Sequence, residues 1–241
     1  MDDFSSATPG APRRRTLMRG AVWAVPTVTV SSVTPAFASS RCARFSPTLS
    51  TSSYTFTDRN HGAGTATSTT TPTTTLDYSV LATSLGGKIL QANNLTVAGN
   101  VNAGYNGQGE LTSDGLQFQQ NGGASGYASR QDITITFEEP VTNLKFTIFD
   151  IDRTSTYVDA IATSIAPTSI VRGTNILGSA TVADPLRASS VGDVSSGTLS
   201  ATSTLTYAGP LTTLKISFWS TNGTGYQQTF LSNLEFQTGT C

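Results

Sequence analysis

The chain has 241 residues and a net charge of −1, and only 12% of its residues are charged, roughly half the usual share. So few Lys and Arg residues exclude a general nucleic-acid-binding surface, and the small net charge argues against a charge-driven disordered chain. Ser, Thr and Gly take the place of the missing charges, which is typical of β-strands joined by turns.

Residues 1–38 are predicted to be a cleaved export signal. Arg14 and Arg15 lie in a basic start, a short apolar run follows, and Ala36 and Ala38 form a small-x-small cleavage site. The paired arginines followed by x-Leu-Met resemble a twin-arginine signal, with an ordinary secretory signal as the alternative. The apolar run is too short and too polar to remain in a bilayer. We therefore expect a secreted location, with surface association as a variant of it, and no membrane span in the mature chain.

Two cysteines, Cys42 and Cys241, lie near the two ends of residues 39–241. An exported protein meets oxidising conditions, in which disulfides persist. A bond between these cysteines needs their Cα atoms within about 7 Å, so it predicts that the first and last strands are neighbours. A free thiol, an intermolecular bridge and a metal pair are the alternatives.

Residues 39–241 are predicted to form one all-β domain, an antiparallel two-sheet sandwich that is jelly-roll-like. Several runs alternate apolar and polar residues with period two, typical of strands with one buried face. Residues 76–85 also fit a helical spacing, but their Tyr, Val and Thr residues favour a strand. The Thr-rich run 65–75 is interpreted as an exposed strand, with a flexible linker as the alternative. The clearest alternating runs are 133–137, 144–148, 214–218 and 234–236.

One segment carries a resemblance to a known group of proteins. Residues 137–152 read F-x-x-P-V-x-x-L-x-F-x-I-x-D-I-D, D-x-I follows at 159–161, and S-N-L-E-F closes the pattern at 232–236. Together with the twin-arginine-like start, this pattern resembles secreted bacterial β-sandwich surface domains of actinobacterial type. The resemblance implies a jelly-roll module whose usual role is binding or adhesion.

The same segment places two carboxylates at a strand end. Asp150 and Asp152 lie two residues apart and so share one face of the strand, and Asp159 follows on the next predicted strand. Carboxylates beside a loop suit calcium, which takes 6–8 oxygen ligands, so this trio is a candidate calcium site. The alternative is a structural role, in which loop amides and a nearby Arg satisfy the carboxylates.

Loop aromatics are the candidate ligand-binding residues, because aromatic rings among amide side chains suit a glycan or a protein ligand. The function expected from the sequence is a secreted or surface-associated binding module for such an extracellular ligand. A hydrolase with paired carboxylates and a self-associating structural surface protein are the alternatives. The candidate aromatics are Tyr105, Tyr127, Trp219 and Tyr226.

A covalent cross-link is a further hypothesis. An amide bond within the chain needs a buried Lys beside an amide and an acid, and Lys145 or Lys215 with Asn233 and Glu235 offers those groups. The simpler interpretation places both lysines on the solvent face of a sheet. His61, the single His of the chain, lies among glycines and is expected to be a surface residue rather than a catalytic base.

Overall fold

The structure is a computed structural model, and it describes residues 42–46, 49, 52–98, 115–192 and 199–239. The export signal, with Arg14, Arg15, Ala36 and Ala38, lies outside the described residues, as do Tyr105 and Cys241. Residues Ala38–Cys241 group into one compact unit. In the described part of the chain, no helix is long and apolar enough to cross a membrane.

The described residues form sixteen strands and one short 3-10 helix, Leu199–Ala201. The strands are β1 Ala43–Phe45, β2 Tyr54–Asp58, β3 His61–Thr67, β4 Thr75–Ser84, β5 Lys88–Leu90, β6 Val97–Ala98, β7 Gly115–Gly122, β8 Arg130–Phe149, β9 Tyr157–Thr163, β10 Ser169–Arg172, β11 Ile176–Leu177, β12 Arg187–Ala188, β13 Ser203–Tyr207, β14 Leu211–Gly223, β15 Gln227–Leu231 and β16 Glu235–Thr238.

Period-two burial explains why these segments are strands. In β4, Leu76, Tyr78, Val80 and Ala82 are buried while the residues between them are exposed, so this run is a strand, as its residue types predicted. The Thr-rich run divides: β3 carries exposed Thr residues as far as Thr67, and a turn then leads into β4. The expected exposed strand is therefore confirmed for its first part only.

The long strand β8 belongs to two antiparallel sheets. Its residues 130–141 pair with β4 and β14, and the order β2-β3-β4-β8-β14-β9 forms the first sheet. Its residues 142–149 pair with β13, β15 and β16, and these strands with β1, β5, β6, β7 and β10 form the second sheet. The predicted all-β two-sheet sandwich is confirmed.

A bulge lets β8 pass from one sheet to the other. The buried positions are odd-numbered through Ile133, Ile135 and Phe137, but even-numbered from Leu144 onward. The change of phase falls at Asn143, which has a positive φ of 51° and whose N–H donates to Ala208 at 3.0 Å. An extra residue of this kind bends a strand and redirects its side chains, so both halves of β8 present apolar residues to one core.

The first and last strands of the domain lie side by side and pack on the core. β1 pairs antiparallel with β16, with Ala43 opposite Thr238, and Phe45 stacks on Phe236 with ring centroids 4.8 Å apart. Phe137 of the first sheet meets the same Phe236 ring edge-on at 5.2 Å. The expectation that the first and last strands are neighbours is confirmed.

Candidate functional site

The first sheet carries a row of small residues, four of them with a hydroxyl group, on its outer face, the face that points away from the core. Strand register aligns one residue from each of five neighbouring strands, and all five are exposed. Adjacent strands lie about 4.8 Å apart, so the row extends roughly 19 Å across the sheet. We call this set the hydroxyl row: Thr55, Ala63, Ser79, Thr136 and Thr213.

A groove opens on this face beside the hydroxyl row. Its larger part has a volume of about 540 Å³ and is lined by Thr residues of β2 and β3, by Ser residues of the turn before β2, and by Asp77. An adjoining hollow of about 330 Å³ continues over Ser79 and Thr136 to Glu138. The two share Ala63, Asp77 and Tyr78, so they form one continuous depression, which we call the outer groove.

Gly64 lies in the floor of the outer groove, and its lack of a side chain makes room for a ring that packs beneath the sheet. Gly64 lies on β3 opposite Tyr78, and a Cβ at this position would collide with the Tyr78 ring and hydroxyl. The Tyr78 side chain lies on the core side of β4 and is buried, so the aromatic ring fills the space that a side chain at position 64 would otherwise take. A glycine is therefore required by close packing from beneath.

Acidic groups supply the charge of the groove. The Asp77 carboxylate accepts a hydrogen bond of 2.6 Å from the Thr65 hydroxyl, and Glu138 is exposed at the far end. A carboxylate offers about four lone-pair sites. Asp77 therefore keeps acceptor capacity for a hydroxyl-bearing ligand while Thr65 holds its orientation.

An aromatic corner lies on the same outer face, where β8 meets β14. Tyr127 meets Trp219 edge-on with ring centroids 5.1 Å apart, and the Arg130 guanidinium carbon lies 4.1 Å from the Tyr127 ring centroid. Trp219 packs against Ala160 and Ala162 and is only 2% exposed. The expectation that Trp219 offers an open stacking surface is wrong, because the loop carrying Tyr127 covers the indole.

Ion pairs and a hydrogen bond to Asp132 connect this corner to the first sheet. Asp132 accepts two hydrogen bonds from Arg130, at 2.7 and 3.0 Å, and one of 2.6 Å from the Ser217 hydroxyl. The Lys215 ammonium lies 3.5 Å from the same carboxylate. Burial alone would raise the pKa of Asp132, but the hydrogen bonds from Arg130 and Ser217 outweigh it and hold the pKa below its ordinary value.

The other candidate aromatics are not gathered with this corner. Tyr226 is 45% exposed, and its hydroxyl donates to Gln228 at 3.3 Å. Burial and the negative charge of Asp150 raise the pKa of Tyr226, and Tyr226 does not line the outer groove. Tyr105 lies outside the described residues.

The three aspartates of the candidate calcium site do not form a metal cluster. Among the described residues there is no group of three or more His, Cys, Asp or Glu side chains that could hold a metal ion. Asp159 instead points into the protein and accepts hydrogen bonds from the Asp152 backbone N–H at 2.9 Å and from Gln227 Nε2 at 2.7 Å. Asp150 has a positive φ of 62° at the end of β8. These contacts favour the structural alternative.

Asp159 belongs to a polar cluster buried between the two sheets. Lys88 of β5 is 3% exposed, and its Nζ donates to Gln227 Oε1 at 3.3 Å. Gln120 Nε2 donates to the same oxygen at 3.1 Å. We call these four residues, Lys88, Gln120, Gln227 and Asp159, the interior polar cluster. Sequence reasoning did not single out Gln120 or Lys88, since a single Lys before two apolar residues carries no strong signal of burial.

The lysines named for a cross-link lie on the surface, as the simpler interpretation held. Lys145 forms a 3.2 Å ion pair with Glu235, and both side chains are about half exposed. Asn233 accepts a hydrogen bond from the Leu49 N–H at 2.8 Å. His61 is exposed beside Asp58, with Nδ1 3.0 Å from the carboxylate, so it is a surface residue, as expected.

Comparison with protein-family models, with curated proteins and with solved structures gave no match for this chain.

Proposed function

We propose that the chain is a secreted or surface-associated binding module whose outer groove binds an extracellular glycan. The hydroxyl row and the adjoining outer groove are the observation that carries the proposal. They present alcohol groups and carboxylates at the spacing of neighbouring strands. The alcohol groups can donate to and accept from sugar hydroxyls, and the carboxylates can accept from them.

The lining of the groove favours a glycan over a protein ligand. Centres of protein–protein interfaces are enriched in aromatic residues, Met and Arg. The outer groove is lined instead by Ser, Thr, Ala, Gly and acidic residues, and its aromatic members, Tyr78 and Phe137, are buried from the core side. A flexible hydroxyl-rich ligand matches this surface better than an apolar protein patch does.

Export is part of the same proposal. The signal-like residues 1–38 support it. A disulfide between Cys42 and Cys241 would fit an exported protein. The pairing of β1 with β16 supports this disulfide, because Ala43 lies opposite Thr238, and these residues are close in sequence to Cys42 and Cys241. The disulfide is tested by peptide mapping. The two terminal peptides stay joined before reduction and separate after it, whereas alkylation of both cysteines without reduction would contradict the bond.

Glycan-array screening of the purified chain tests the binding activity. We expect Asp77→Ala to weaken binding to the best glycan by about tenfold to a hundredfold, because a hydrogen bond to a charged group contributes about 1.5–3 kcal/mol. The matched control is Glu235→Ala, which removes an exposed carboxylate of the second sheet and should leave binding unchanged. Equal losses in both variants, or no glycan bound by the parent chain, would contradict the proposal.

The hydrolase alternative is tested with the same sample. Glu235 pairs with Lys145 across the second sheet, so it does not face the outer groove, whose two carboxylates are Asp77 and Glu138. We expect no release of reducing ends from a bound glycan. If the parent chain steadily releases reducing ends and Glu138→Gln abolishes this release, the protein is a hydrolase rather than a binding module.

A further inference from the structure

The interior polar cluster places an amine, an amide and a carboxylate in contact where no solvent reaches. Lys88, Gln120 and Gln227 come from β5, β7 and β15 of the second sheet, and Asp159 comes from β9 of the first. All four residues are at most 3% exposed. Buried Lys and Asp are rare unless paired, and here an amide side chain lies between them.

The orientation of the Gln227 amide follows from its neighbours. Nε2 lies 2.7 Å from Asp159 Oδ1 and 3.2 Å from the Trp219 carbonyl oxygen, which are both acceptors. Oε1 faces two donors, Lys88 Nζ at 3.3 Å and Gln120 Nε2 at 3.1 Å. A flipped amide would set donor against donor and acceptor against acceptor, so the carbonyl side of the Gln227 amide faces Lys88 and the nitrogen side faces Asp159.

We propose that Lys88 and Gln227 join through an isopeptide bond that forms within the folded chain. The amine Nζ of Lys88 attacks Cδ of Gln227, the new Nζ–Cδ bond forms, and the Cδ–Nε2 bond breaks. The departing nitrogen leaves as ammonia with a proton that came from the attacking amine. The amide is exchanged for another amide, so no oxidant, reductant or cofactor enters the balance.

Each neighbour has a part in this reaction. Gln120 Nε2 donates to Oε1 and would stabilise the negative charge that develops on this oxygen during attack. Asp159 Oδ1 accepts from Nε2 and can carry the proton from the amine to the leaving nitrogen. Burial lowers the pKa of Lys88, although the charge of Asp159 opposes this, and a lower pKa increases the share of the neutral, nucleophilic amine.

The cross-link would join strands that are not direct neighbours. β5 and β15 both pair with β7, one on each side, and Lys88 and Gln227 lie 139 residues apart in the chain. A covalent bond across β7 would lock that edge of the second sheet.

Intact-mass measurement of the reduced and unfolded chain tests the proposal. We expect the folded protein to lose one ammonia, a deficit of about 17 Da from the sequence mass. Lys88→Arg keeps the positive charge but lacks the reactive amine, so it should show the full mass. The matched control, Lys145→Arg, replaces an exposed lysine and should keep the deficit.

Peptide mapping identifies the bond. Trypsin cannot cut after an acylated lysine, so we expect a branched peptide that contains Lys88 and Gln227. Asp159→Asn should slow its formation by about a hundredfold or more, as expected when a proton carrier is lost. The full sequence mass after prolonged incubation of the folded parent chain would overturn the proposal, as would a deficit without this branched peptide.

Discussion

The outer groove and the interior polar cluster use polar side chains on opposite faces of the sheets for opposite purposes. In the outer groove, Ser and Thr hydroxyls and Asp77 face solvent and retain capacity for a ligand. In the interior, Lys88 and Asp159 both form hydrogen bonds with Gln227. A buried polar group that loses its hydrogen-bond partner destabilises the fold. Substitutions in the interior polar cluster should therefore lower the free energy of unfolding strongly, and substitutions in the outer groove should lower it little.

The largest expected effect is on the interior side of this comparison. Asp159→Ala removes the acceptor for both the Asp152 N–H and Gln227 Nε2, so two buried donors lose their partner. We expect a loss of about 2–6 kcal/mol in the free energy of unfolding, measured by urea denaturation, because each unpaired buried donor costs about 1–3 kcal/mol. Asp58→Ala is the control, because Asp58 pairs with His61 on the surface. Similar losses of unfolding free energy in Asp159→Ala and Asp58→Ala would contradict the expected difference between buried and exposed polar groups.

The floor of the outer groove should be the exception on the tolerant side. Gly64→Ala places a methyl group against the Tyr78 ring, and we expect a loss of about 1–3 kcal/mol in unfolding free energy from overpacking. Gly192→Ala serves as the control, because a Cβ there meets nothing within 4 Å. If Gly64→Ala melts like the parent chain, the close approach of Tyr78 does not limit this position.

A smaller effect is expected from acid at the aromatic corner. The folded pKa of Asp132 is lowered, so the unfolded state binds its proton more tightly and the stabilisation is present above the unfolded pKa of about 4. It is lost as the pH falls through the lower folded pKa. The stability difference between the parent chain and Asp132→Asn, followed by thermal melting, should therefore shrink on acidification. A difference that grows toward low pH would contradict the contacts with Arg130 and Ser217.

The smallest expected effect is that of a chelator. Asp159 spends its carboxylate on hydrogen bonds within the protein, so we expect the melting midpoint to be the same with EDTA and with added calcium. A midpoint that rises with calcium and falls with EDTA would restore the calcium interpretation of Asp150, Asp152 and Asp159.

The alternation of apolar and polar residues predicted the sandwich well, because each strand with one buried face shows this pattern in its own sequence. The runs at 133–137 and 144–148 were both recognised, but their fusion into the single strand β8 was not, since Glu139 and Pro140 are typical of a loop. The role of Asp159 was hidden for a different reason. Its partner Gln227 lies 68 residues away, and no local pattern shows such a pairing.

The same limit applies to the hydroxyl row. Each of its residues is an ordinary exposed position on an alternating strand, and only the register of β2, β3, β4, β8 and β14 aligns them. The expected site at the loop aromatics failed at Trp219, because a ring that can stack on a ligand can equally be covered by a neighbouring Tyr.

Hydrogen exchange with and without the best-binding glycan tests the central claim most directly. The account predicts that the glycan slows exchange in β3 and β4, around residues 62–67 and 75–79, and leaves the second-sheet segment 142–149 unchanged. Protection confined to the second sheet or to the loop carrying Tyr127 would contradict the assignment of the outer groove as the binding surface.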